Sequence, residues 1–175
     1  MGDLLLGPFL AAAALLLAAG VPKLADPLPL VRALRAAGVP AGRSVVRAFA
    51  AGEVAVGTAA VLAPGRLTAM LVGLAYVLFT GFVARVLARG GILGSCGCFG
   101  KPDTPATMTH LALTALAAVT ALVAAVDPPA RTWSDLDGTT LSTVGLAAVI
   151  AFLAWQAMAV LPSVSPVAIR STRKG

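Results

Sequence analysis

The sequence predicts an all-α integral membrane protein: a four-helix transmembrane core, a fifth C-terminal transmembrane helix, and a short interfacial helix after the first crossing. Three observations carry this reading. The chain is 59% hydrophobic and 11% charged, with a mean hydropathy of +0.95, too little polar surface to clothe a water-soluble domain. Five apolar runs are long enough to cross a bilayer, which takes roughly 20 residues each. None of them carries the polar face at helical period that a bundle in water needs.

The runs span residues 4–21, 45–62, 67–87, 108–126 and 141–161. The first resembles a secretory leader in its Ala18-Ala19-Gly20 ending, but Asp3 stands where a basic segment is required, so a retained helix is expected. Pro22 is expected to end that helix. Pro27-Leu28-Pro29 then opens a segment at residues 30–37 with Arg32 and Arg35 on one side, which reads as a helix lying along the headgroups before Gly38 and Pro40 stop it. Pro64-Gly65 is a tight hairpin between the second and third crossings. The resulting organisation is a membrane domain over residues 1–126, a polar loop at 127–140 with Trp133 at interface height, a fifth crossing at 141–162 and a basic tail at 163–175. Many of the crossings are rich in Ala, Leu, Val and Gly, and small residues let membrane helices pack closely.

The net charge of +6 is informative about topology. Lys23, Arg32, Arg35, Arg43, Arg47, Arg85, Arg89, Lys101, Arg170, Arg173 and Lys174 fall on one side of the predicted topology, and only Arg66 and Arg131 on the other. The positive-inside rule therefore predicts a multi-pass plasma-membrane protein with its N-terminus outside and its tail in the cytoplasm. Basic residues interleaved with aromatics are lacking, so no nucleic-acid partner is expected.

Both cysteines of the chain stand in one glycine-rich turn, Gly94-Ser95-Cys96-Gly97-Cys98-Phe99-Gly100. Residues i and i+2 are at most about 7 Å apart along an extended chain, and a disulfide wants Cα atoms roughly 4.4–6.8 Å apart, so a bend at Gly97 can join them. A ring that small is strained, and strained disulfides are the ones that exchange. Arg85, Arg89 and Lys101 lie nearby in sequence and favour thiolate over thiol, with Asp103 partly opposing them. Two competing readings stay open: reduced cysteines that merely pack, and a linear Cu(I) site on both thiolates. Zinc is short of ligands, since Cys96, Cys98 and the lone His110 make only three. The turn is not a phosphate loop either, because five residues separate Gly94 from Gly100 and Pro102 replaces the required hydroxyl.

The CGCFG signature at 96–100, the stretch Gly20-Val-Pro-Lys23-Leu-Ala-Asp26-Pro27 and Glu53 inside the second crossing resemble the methylamine-utilisation MauE family and its DoxX-like relatives over about residues 4–126. The resemblance implies a four-helix membrane core working with redox partners. It implies that Cys96 and Cys98 are a redox pair that acts with a thioredoxin-like protein to mature a disulfide-containing client enzyme. Lys23 and Glu53 become family positions of unassigned role. Thr109-His110 departs from the pattern, where relatives often carry an Arg-Asn pair, and the fifth crossing extends beyond the family core. Maturation of that kind is expected outside the cytoplasm, whereas the charge count puts the cysteine turn inside.

Glu53 is the ionisable residue deepest in any crossing, and such a carboxylate is by default a functional hypothesis, as a proton or cation site or a quinone contact. Its competing reading is a structural bond to another helix, through Lys23 or a hydroxyl such as Thr58 or Thr80. His110, three residues after a Thr107 cap, reads as a polar helix-end residue that can tune the thiols. No haem-attachment or dinucleotide motif is present, so an oxidoreductase built on this chain needs a quinone or a partner protein as electron sink. The alternative class is a non-catalytic scaffold or a small-solute or proton carrier organised around Glu53.

Overall fold

A computed structural model describes residues 2–89, 106–129 and 138–160. Every element among them is helical: α1 (Gly2–Ala25), α2 (Leu28–Ala36), α3 (Arg43–Leu62), α4 (Arg66–Ala88), α5 (Met108–Val126) and α6 (Gly138–Trp155), the last continuing into a π-helical turn at Gln156–Val160. All but the short α2 are long and apolar enough to cross a membrane. The turn holding Cys96, Cys98 and Lys101, most of the loop after α5 and the basic tail lie outside the described residues.

α1 is the hub. Of its most apolar stretch 61% is buried, against 11% for α6, so α1 is enclosed by other helices while α6 turns most of its surface to lipid. α3 runs antiparallel along one side of α1, and α6 lies parallel to it on another, with Leu6, Leu10 and Ala11 against Ala147. α4 and α5 pair with each other, and Phe9, Ala13 and Leu16 meet Val72, Tyr76 and Ala121 in the main core. Lipid tails are as apolar as leucine, so burying apolar area drives none of this association. Close van der Waals fit and interhelical hydrogen bonds must supply it. Small residues provide the fit. A Cβ on Gly57 of α3 would lie 2.7 Å from the Leu17 amide nitrogen, and one on Gly20 of α1 would lie 2.9 Å from the Ala50 carbonyl oxygen. Only glycine allows these backbones to approach so nearly.

The expected stop at Pro22 is overturned, because α1 continues to Ala25. Proline removes one donor from the ladder, yet the Pro22 carbonyl still accepts the Asp26 amide at 2.8 Å, and the Lys23 side chain anchors this last turn to α3. The Asp26 carboxylate then takes the Leu28 amide at 3.0 Å as α2 opens on its prolines. α2 buries Leu30, Val31 and Ala33 and exposes Arg32 and Arg35, as an interfacial helix should. It ends in a Schellman motif, with Gly38 at φ 75° and the Val39 amide bonded to the Leu34 carbonyl at 2.8 Å. The alternation of crossings gathers the end of α1, α2, the start of α3, the end of α4, the start of α5 and the π turn at one end of the bundle. Arg66 lies at the opposite end.

Candidate functional site

Lys23 and Glu53 form a buried ion pair between α1 and α3. The ammonium Nζ donates to Glu53 Oε1 at 2.7 Å and Oε2 at 2.9 Å, and each residue is 2% exposed. The sequence explains why they meet. Gly20 and Lys23 are i and i+3 on α1 and share a face. Gly20 lets α3 approach until its Cβ position lies 3.0 Å from Glu53 Cβ, and Lys23, one turn further, then reaches the carboxylate. Of the structural partners considered for Glu53, Lys23 is the one it bonds. Thr80 Oγ1 instead donates to the Tyr76 carbonyl of its own helix.

An aromatic ring lies beside the ammonium, and two more pack against that ring. Lys23 Nζ stands 4.8 Å from the centroid of Phe79, which packs edge to face with Tyr76 and with Phe49, at 5.8 and 5.9 Å between centroids. Tyr76 ties α4 to α1 through its hydroxyl, which donates to the Ala12 carbonyl at 2.8 Å. Neither Tyr76 nor Phe79 stood out in the sequence. Their i, i+3 spacing on α4 was the only signal, and it is common to any apolar helix.

His110 is 1% exposed and buried at the helix start. Its amide bonds Thr107 Oγ1 at 3.4 Å, as the expected cap requires, while its ring Nδ1 shares a 2.8 Å hydrogen bond with the same hydroxyl. His110 and Met158 line one small cavity, so the departure at 109–110 stands where α5 meets the π turn that ends the fifth crossing. A cavity of about 30 Å³ separates His110, Thr114 and Met158 from Lys23 and Tyr76.

Arg85 and Arg89, one turn apart on α4, both donate to the Ala37 carbonyl, Arg85 through Nε at 3.3 Å and Arg89 through Nη1. Two cations thus sit on the negative end of the α2 dipole and fasten this interfacial helix to the bundle. That task, across a separation of 48 and 52 residues, was not visible in the sequence. Cys96, Cys98 and Lys101 lie outside the described residues, in the connection from Arg89 to Ala106. Both of those flanking residues belong to the end of the bundle that carries α2, the ion pair and His110.

Fold and site together define a multi-pass helical membrane protein whose core is locked by an intramembrane ion pair. Residues 1–127 match the family described as methylamine utilisation protein MauE, and the chain belongs to that family. The match stops short of α6, so the fifth crossing lies outside the matched region. No curated protein and no solved structure matches the chain.

Proposed function

We propose that this MauE-family membrane protein exchanges thiols and disulfides through Cys96 and Cys98 with a thioredoxin-like partner, in support of a client enzyme that contains disulfides. The observation that carries the reading is the pairing of the chain's only two cysteines across a single glycine. One thiolate attacks a disulfide of the partner, expels a partner thiolate and forms a mixed disulfide. The second thiolate attacks that bond, leaving Cys96 joined to Cys98 and the partner with two thiols. The reverse sequence oxidises the partner. Charge supports a plasma-membrane placement with the N-terminus outside and the turn facing the cytoplasm, where a soluble thiol protein is the natural partner.

A carrier organised around Glu53 gains no support from the geometry, because Lys23 already occupies both carboxylate oxygens. The test uses a fluorescent thioredoxin lacking its resolving cysteine, presented as a mixed disulfide to vesicles containing the protein. Of Cys96→Ser and Cys98→Ser, at least one should accumulate an adduct that reductant dissolves, and the double variant should form none. An adduct count equal to the double variant in both single variants, or copper bound in proportion to the protein and lost with either cysteine, would sink the exchange reading.

A further inference from the structure

A groove of about 250 Å³ lies between α2, the start of α3 and the second half of α4, on the side of the bundle that faces lipid. Its walls are apolar, among them Leu34, Val45, Phe49, Leu78 and Phe82, and Val45 and Leu78 are strongly exposed. Among the described residues, the one charged residue lining it is Lys23. An ammonium has three N–H donors, and at most two are needed by the Glu53 oxygens. Among the described residues the third has no oxygen acceptor, and the Phe79 face lies beside the ammonium. In a dehydrated interior a spare charged donor is costly, and an acceptor oxygen brought to it is correspondingly well held.

We propose that this groove binds the headgroup of a lipid-soluble quinone, with a ring carbonyl accepting from Lys23, the ring among Phe49, Phe79 and Phe82, and the tail running into the bilayer. Three features select this class. A phospholipid acyl chain has no use for a donor at the floor of the groove. A charged headgroup does not suit walls whose only ion is already neutralised by Glu53. A flat, neutral ring bearing carbonyl oxygens uses both the aromatic walls and the free N–H. The volume, just under the usual 300–1,000 Å³ of small-molecule pockets, suits a headgroup and not a whole isoprenoid. Such a ligand supplies the electron acceptor that the thiol reading lacks, but its binding depends on the groove alone.

The experiment is photolabelling of the full chain, in phosphatidylcholine vesicles, with an azidobenzoquinone carrying a decyl tail. Labelling should saturate, fall on peptides from residues 28–49 and 74–86, and be competed by decyl-ubiquinone but not by dodecane. Leu78→Trp fills the groove from its lipid side without touching the ion pair, and should raise the half-saturating concentration at least ten-fold. Leu74→Trp, one turn away and also strongly exposed but not lining the groove, should leave it unchanged. The Cys96→Ser/Cys98→Ser variant should also bind as the parent does, so a failure of the exchange chemistry leaves this result standing. Labelling that never saturates, that spreads over all crossings, or that is indifferent to Leu78→Trp would overturn the assignment.

Discussion

Neutralising one partner of the Lys23–Glu53 pair should destabilise the bundle far more than neutralising both. At 2.7–2.9 Å between charged atoms and an effective dielectric near 20, the attraction is about 6 kcal/mol, most of which offsets the cost of taking two ions out of water. The intact pair therefore contributes little net. Glu53→Gln or Lys23→Met instead leaves one ion buried without its counter-charge, a loss of about 3–5 kcal/mol. For a chain of 175 residues this corresponds to a fall of roughly 10 °C in the apparent unfolding midpoint. The combined Lys23→Met/Glu53→Gln protein should fall by less than half the sum of the two single losses, which is the mark of direct coupling. The assay is the fraction remaining monodisperse by gel filtration after heating in detergent, for all four proteins side by side. Single variants within about 2 °C of the parent, or a double variant equal to the sum, would refute the claim that this pair locks α1 to α3.

Three further outcomes follow from the packing. Gly57→Ala should lower the same midpoint by an amount consistent with about 1–3 kcal/mol of overpacking, because its Cβ meets backbone of α1, whereas Gly52→Ala, with nothing within 4 Å, should be neutral or stabilising. Tyr76→Phe removes the hydroxyl that bonds Ala12 and keeps the ring contact with Phe79, so a loss of about 1 kcal/mol is expected in the same assay. Gly38→Ala forces a side chain into φ 75° and against the Arg89 guanidinium at 3.2 Å, and should speed proteolytic cleavage between α2 and α3 severalfold without changing the other crossings.

The crossings were legible because hydropathy over some twenty residues averages away local detail, and α5 starts and ends where its apolar run does. Pro22 misled because one missing amide does not stop a helix whose next turn is held from outside, and in this chain the holding group is a glutamate 30 residues away. Glu53 could be singled out because a charge inside a crossing is conspicuous, and Lys23, read as lying beyond the first crossing, was one of its candidate partners. That they meet depends on Gly20 permitting a close approach that spacing alone does not reveal. Arg85 and Arg89 were read through their sequence neighbours, the cysteines. Among the described residues both bond Ala37, and only the folded topology brings that carbonyl within reach. His110 was legible as a capped helix start, but not as a neighbour of Met158 at the end of the fifth crossing.

The most direct test of the central claim is the redox state of Cys96 and Cys98 in membranes equilibrated across a series of glutathione potentials, quenched with acid and alkylated. Mass spectrometry should show two species, a joined form two mass units lighter than the dithiol and a doubly alkylated form, exchanging cooperatively through one midpoint. Double alkylation at every potential would mean that the two sulfurs never join, and the exchange chemistry proposed for this membrane protein would have to be abandoned.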